Sequence, residues 1–399
     1  MSDAMTTSAP PVVDPAELRE MRAAVHTMVA ALHGDDDPRL PAVDGGARRE
    51  AWRRTAEEHS LLGLHQPVEV GGQGLSSAYS ILVAQAHGHH LARSPFLGSQ
   101  VLAAPVLLAN ASTDQQRRLL SPLLAGVATA TLAGADRGLL GTGVAAGTGG
   151  PLAPTAPERP ILTRTADGSR LSGSAPFVCD AASVDWLLVL ADVEGTDDLG
   201  VVVVQQGAPG LSTTPQDTID TTRNRARVDL DRTLGEELGN VTVAGLRAAL
   251  AESTVLLAAE AVGGARASLD STMDYVRLRH QFDRPIGSFQ TVQHRLADLH
   301  GDLEAAQACV EAAATALDRV IGSPVSDAEL LADLVDAASL AKSVAADAFV
   351  LIARETVHLH GGIGFTWEHD AHLYYKRALA DLSLLGHPAD HRRALVASW

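Results

Sequence analysis

The strongest constraint on this chain lies in its last third. There three long helical patterns follow one another, over residues 246–279, 296–321 and 328–358. Apolar side chains recur at spacings of three and four through each of them. A helix of that length with one apolar stripe is stable only when the stripe is covered. Three in succession therefore predict a bundle. Aromatics make up only 4% of the chain, so the helices must pack on Ala and Leu. Small residues at Ala258, Ala261, Gly263 and Gly264 permit close helix approach.

The remainder has two textures. From Asp14-Pro15, a plausible helix start, the pattern is helical, with Leu18, Met21 and Val25 in register. A glycine-rich turn at residues 67–74 (Pro-Val-Glu-Val-Gly-Gly-Gln-Gly) interrupts it. Ser112-Thr113-Asp114 reads as the cap of a further helix carrying Arg117, Arg118 and Leu119. Beyond residue 128 short β-type runs replace the helices. Asp167-Gly168, between 161–165 and 170–174, signals a hairpin. Apolar runs at 184–190 and 201–204 flank Glu194-Gly195-Thr196-Asp197-Asp198. The stretch 141–160, rich in Gly, Ala, Pro and Thr, reads as a mobile loop. Helices, then strands, then helices, without βαβ alternation, predict an α+β fold that is mainly α. The expected parts are a disordered tail (1–14), an N-terminal helical domain (15–128), a middle β-domain (129–240) and a C-terminal four-helix bundle (241–399).

Charge narrows the function. The 31 basic and 48 acidic residues leave a net charge of −17, which argues against a nucleic-acid partner. Cys179 and Cys309 make neither a metal spacing nor a disulfide framework, as expected for a reducing cytoplasm. The first residues have no signal-peptide pattern, and no uninterrupted apolar run is long enough to span a bilayer. A soluble cytoplasmic protein is expected. His87, His89 and His90, and separately His358, His360, His369 and His372, are close in sequence. The first set lacks a helical i, i+4 pair with a carboxylate partner, and no metal is expected.

Three strings carry a more specific signal. Residues 279–290 read Arg-His-Gln-Phe-Asp-Arg-Pro-Ile-Gly-Ser-Phe-Gln, residues 358–365 read His-Leu-His-Gly-Gly-Ile-Gly-Phe, and the third is the 67–74 turn. Two glycines in series let a backbone approach a bulky anion, and an arginine such as Arg279 can bind pyrophosphate through its planar fork. In this order the strings resemble the acyl-CoA dehydrogenase family over essentially the whole chain, and 361–374 resembles actinobacterial members that form heteromeric enzymes. The resemblance implies FAD as cofactor. It implies flavin contacts at Arg279, Gln281, Phe282, Gln290, His358, Gly361 and Gly362, the first three to the FAD of a neighbouring subunit. Phe177 and Cys179 match the stretch that flanks the flavin ring.

The reaction of that family needs a carboxylate to remove the α-proton of an acyl-CoA thioester while the flavin takes the β-hydride. The two positions where members carry that base fall here on Gly386 and Ser253. Glu252, one residue away, is the nearest carboxylate, but one residue on a helix is a rotation of about 100°. Glu260, two turns further on, reads as a helix-face carboxylate paired with an arginine. The family's substrate loop is altered as well, to Ala133-Gly134-Ala135-Asp136-Arg137-Gly138-Leu139-Leu140-Gly141-Thr142. Three functions stay open. One is a dehydrogenase subunit acting with a second, base-bearing acyl-CoA dehydrogenase-like chain, passing electrons to electron-transferring flavoprotein. Another is a homotetrameric dehydrogenase using Glu252, and the third a non-redox or structural relative without flavin.

Overall fold

A computed structural model describes residues 14–32, 39, 45–135, 159–321 and 327–398. Residues 1–13 of the predicted tail, the 141–160 loop up to residue 158, and most of the altered 133–142 stretch lie outside them, whereas Asp14, the tail's last residue, belongs to the cap of the first helix.

The N-terminal part is helical: α1 (Pro15–Ala31), α2 (Gly45–His59), α3 (Ser77–His89), α4 (Ala104–Asn110), and the short α5 (Thr113–Gln115) and α6 (Ser121–Leu124). Asp14 caps α1 through Ala16 N at 2.8 Å. Ser112 and Gln115 form a reciprocal capping box at α5. Two π-helical segments, Leu97–Ala103 and Gln116–Leu120, add a residue per turn, the first of them running straight into α4.

Seven strands follow: β1 (Ala130–Ala133), β2 (Ile161–Thr165), β3 (Gly168–Cys179), β4 (Trp186–Val193), β5 (Leu199–Gln205), β6 (Leu211–Gln216) and β7 (Arg225–Glu237). The β2–β3 pairing runs antiparallel with Thr165 opposite Gly168, so the hairpin turns at Ala166-Asp167. The ring β4-β2-β3-β7-β5 closes on itself through β4–β5, with β1 and β6 paired outside it. Alternation decides its two faces. Leu187, Val189, Ala191, Val202 and Val204 fill the small barrel core. Leu188, Leu190, Val201 and Val203 face the helical core instead.

The C-terminal part holds α7 (Val243–Leu278), a minimal hairpin of β8 (His280–Gln281) and β9 (Arg284–Pro285), α8 (Gln290–Ile321), α9 (Ala328–His360), α10 (Ala371–Asp381) and α11 (Pro388–Ser398). Helices α7 to α10 form the predicted bundle. Helix α7 has the length and apolarity of a membrane span, yet its most apolar window is entirely buried inside the protein. It also lies against α3. A β-carbon on Gly88 would collide with the Glu260 carbonyl, and one on Gly263 with the Gln85 carbonyl. Only glycine permits that spacing.

Candidate active site

Helix α7 carries the residues closest to the expected base, and none of them is presented as one. Ser253 is fully buried, and its Oγ donates to Ala249 O at 2.9 Å within its own helix. Gly386 sits in the turn before α11 with φ +104°. Glu252 is 5% exposed, and its Oε1 accepts from His65 Nε2 at 2.8 Å and Gln66 Nε2 at 2.7 Å. His65 Nδ1 is 2.6 Å from Ser80 Oγ. With Nε2–H donating to the carboxylate, Nδ1 accepts the Ser80 hydroxyl, a tautomer assigned from these partners. His65, Gln66 and Ser80 line a small pocket, about 290 Å³ of space counting the solvent at its mouth, that Glu252 does not line. His65 and Gln66 thus stand between the carboxylate and that pocket.

The clamp depends on the glycine-rich turn. A β-carbon on Gly72 would run into the Gln66 carbonyl. Gly74 N donates to that same carbonyl at 2.9 Å. The 67–74 turn therefore folds back on the bent segment 62–66 that aims His65 and Gln66 at α7.

A second pocket, about 360 Å³ of space counting the solvent at its mouth, lies where the three parts of the chain meet. His87, Arg93, Phe96, Cys179, Arg223 and Glu260 are among its walls, and Phe96 also borders the first cavity. Cys179 is buried at the end of β3, where desolvation pushes its thiol up to about 11. It is therefore a neutral S–H at physiological pH, a weak donor. Phe177 does not join it on the cavity wall. A register shift between Ala175 and Val178 and a φ of +58° turn Phe177 outward, 51% exposed.

Behind this cavity lies a buried ionic knot. Arg377 Nη1 donates to Glu260 Oε1 at 2.7 Å, and its Nε reaches Asp220 Oδ2 at 3.3 Å. Arg223 binds Asp381 through two bonds of 2.7 and 2.9 Å, and its Nη2 lies 3.1 Å from Glu260 Oε2. Lys342 Nζ donates to Asp381 O at 2.7 Å. Three cations thus face three carboxylates. Burial opposes the charge on Arg223, but Asp381 and Glu260 hold its pKa well above the ordinary value. Burial lowers Lys342 to about 8. Glu260, part of this knot, is spoken for by two arginines. The knot ties the β-domain to α7, α9 and α10, and losing one member would leave an uncompensated buried charge.

The remaining predicted contacts lie elsewhere, at the end of the bundle where α7 and α9 both finish. Tyr275 stacks on His360 with centroids 4.3 Å apart and donates to its carbonyl at 3.2 Å. This sets the 279–290 hairpin beside the 358–362 turn. Arg279, Gln281, Phe282 and Gln290 are all exposed there, Phe282 at 86%. His358 is exposed, with Nδ1 3.4 Å from Glu355 Oε2. Gly361 and Gly362 face open space, with nothing within 4 Å of an added β-carbon. Among the described residues the Arg279 guanidinium makes no ion pair. An exposed fork, two bare glycine backbones and an exposed aromatic ring, Phe282, set edge to face on Phe289 at 6.2 Å, suit an anionic, partly aromatic group such as a dinucleotide. Among the described residues no hydrogen bond, ion pair or ring contact joins Phe177 and Cys179 to the bundle-end residues.

Sequence reasoning did not find His65, Gln66, Ser80, Arg223 or Arg377. Gln66 adjoins the glycine-rich turn, but nothing in the local pattern marks it as a partner of Glu252.

Residues 244–397 match the family described as acyl-CoA dehydrogenase, C-terminal domain, and residues 15–127 its N-terminal domain. Acyl-CoA dehydrogenase IpdE2 of Mycobacterium tuberculosis is 30% identical over 390 residues, 96% of each chain. Among solved structures, a variant of the Tcur3481–Tcur3483 steroid ACAD is 28% identical with a TM-score of 0.78, over 96% of this chain and 98% of that one. The ChsE4–ChsE5 complex from Mycobacterium tuberculosis is 26% identical with a TM-score of 0.77, over 97% and 98%.

Proposed function

Since the chain belongs to the acyl-CoA dehydrogenase family, oxidoreductases acting on the CH–CH bond of acyl-CoA thioesters, we propose that it works as one subunit of a heteromeric acyl-CoA dehydrogenase and completes a partner's FAD site without supplying the base. The observation that carries this is the state of the base positions. Gly386 and Ser253 have no carboxylate, and the adjacent Glu252 is held by His65 and Gln66 away from the cavity.

The placement of the bundle-end residues supports the same reading. A surface that exposes an Arg279 fork without an ion pair among the described residues, beside two bare glycine backbones, is what a subunit offers to a neighbour's cofactor. Arg279 would neutralise the pyrophosphate, Gly361 and Gly362 would let the backbone come within hydrogen-bonding distance, and Phe282 would cover an apolar part of the dinucleotide. FAD, when bound, supplies the hydride acceptance that no amino acid provides. The α-proton would be taken by a carboxylate of the second subunit. Two of the similar structures are described by pairs of chains, ChsE4–ChsE5 and Tcur3481–Tcur3483, the latter a steroid ACAD. A steroid-derived or fatty acyl-CoA is accordingly the proposed substrate class, and electron-transferring flavoprotein the proposed oxidant.

The test is the visible absorption spectrum of the chain purified alone and after co-expression with an adjacent dehydrogenase-like gene. Flavin bands that bleach with an acyl-CoA only in the co-expressed preparation are expected. Bleaching in the lone protein would sink the proposal and return Glu252 to consideration. A colourless protein in both preparations would favour the non-redox relative.

A further inference from the structure

Helix α1 brings a third imidazole to the pair at the end of α3, and we propose that His26, His89 and His90 bind one divalent transition-metal ion of the zinc class. Their ligand nitrogens all lie within 4.8 Å of one another. His26 Nδ1 is 3.3 Å from His90 Nε2. Two nitrogens bound tetrahedrally to zinc at about 2.0–2.1 Å are separated by roughly 3.3 Å, so one edge of the coordination polyhedron is already in place. The third nitrogen closes the site by a side-chain adjustment of an ångström or so, within reach of rotation about χ1 and χ2.

The rings are arranged for convergence. Centroids of the three pairs are 4.7, 5.3 and 4.8 Å apart, with interplanar angles of 85°, 68° and 70°. They meet edge to face, as aromatic rings also do by packing alone, and it is the grouping of one nitrogen from each ring within 4.8 Å that marks the cluster as a ligand set. All three donors are imidazole nitrogens, which excludes calcium and magnesium as the intended ion and suits zinc, nickel or copper. The guanidiniums of Arg22 and Arg266 lie within electrostatic reach of the cluster. They oppose any cation, so only an ion with strong bonds to imidazole overcomes them. With three protein ligands, the fourth position is open to water.

A bound ion would staple α1 to the last turn of α3. That turn also carries His87, which stacks on Phe96 at 4.1 Å and lines the larger cavity, and the His89 carbonyl accepts from Tyr374 at 2.6 Å. Metal occupancy would therefore firm the helix end that shapes the cavity wall.

The experiment is a titration of the tag-free, full-length chain, stripped with chelator, with Zn²⁺ and separately with Co²⁺, whose visible bands report four-coordinate nitrogen ligation. One equivalent should bind. Zinc should raise the melting temperature, as any ligand selective for the folded state does. His26→Ala and His89→Ala should each weaken binding by about 100-fold or more, at or beyond the upper end of what loss of a supporting partner costs. His26 is only half buried, so His26→Gln provides a second variant that preserves packing, and unchanged circular dichroism confirms its fold. Absence of saturable one-equivalent binding would overturn the proposal, showing a hydrogen-bonded histidine cluster only. So would zinc affinity unchanged in both His26 variants.

Discussion

A β-carbon placed on Gly386 would lie 3.0 Å from Nε2 of His391, in a turn where Gly386 takes φ +104°. That imidazole is not free to yield, because its Nε2 is 3.0 Å from Leu385 O and its Nδ1 3.2 Å from Ser339 Oγ. The position where the family resemblance leads one to expect the base is thus built for glycine as well as occupied by it.

Gly386→Glu should therefore not create a dehydrogenase. Backbone strain at this φ and the contact with His391 should together cost about 1–3 kcal/mol. Urea denaturation would show a lowered midpoint with an unchanged slope. Dehydrogenation of an acyl-CoA by the lone variant, followed with an artificial electron acceptor, should stay absent. Turnover would show that only the carboxylate was missing.

Glu252→Gln tests the other candidate. Its carboxylate is a buried acceptor of two bonds, one of them from His65, so the substitution should destabilise the chain by about 1–3 kcal/mol. Turnover of the assembled heteromer should remain within about twofold of the unaltered enzyme, since a change of only ~0.4 kcal/mol in barrier already makes that difference. Loss of turnover with full flavin content would make Glu252 the base and overturn the subunit reading.

The contrast between what was and was not legible in the sequence follows from the range of the interactions. The 328–358 pattern becomes α9, Ala328–His360, because apolar periodicity is written locally. Helix α8 begins at Gln290, six residues before its pattern. Its first turns carry Gln293 and His294, which are exposed, and Arg295, which is half-buried against Glu355, so they leave no apolar periodicity to read. The clamp on Glu252 pairs residues 186 and 187 positions apart, and the His26–His90 contact spans 64. No local signal encodes such pairings, which are decided by how α1, α3 and α7 pack. The reading of the histidines by sequence neighbourhood considered His89 and His90 but had no means of seeing His26.

Acid should weaken the fold through His391. Burial, with Lys342 adding to it, lowers this imidazole to about 4 from its ordinary 6.5. Between those values the unfolded chain binds a proton that the folded chain refuses, so stability is fully present above pH 6.5 and falls as pH drops toward 4. The whole window is worth roughly 3 kcal/mol at most. Unfolding free energies measured by urea at pH 7, 5.5 and 4.5 should decline accordingly. His391→Gln should have lower stability at pH 7 and a flatter decline. An unaltered slope in the variant would assign the acid sensitivity to other groups.

The end of the bundle offers the sharpest separation between folding and function. Arg279 is exposed and Gly362 faces open space, so neither supports the chain's own core. Arg279→Gln and Gly362→Val should both leave the melting temperature of the isolated chain within about a degree or two, as surface changes of up to ~0.5 kcal/mol do. In the co-expressed assembly the outcome should differ. Loss of a charge-assisted bond to a phosphate costs about 1.5–3 kcal/mol, so Arg279→Gln should weaken FAD retention by roughly 10- to 100-fold. Gly362→Val places a branched side chain where the backbone must approach the cofactor, and should release flavin without dissociating the subunits. Absorbance of the retained flavin, read alongside the oligomer mass, checks both. Full flavin content in both variants would remove this surface from the cofactor site and leave the exposed hairpin as a contact between subunits alone.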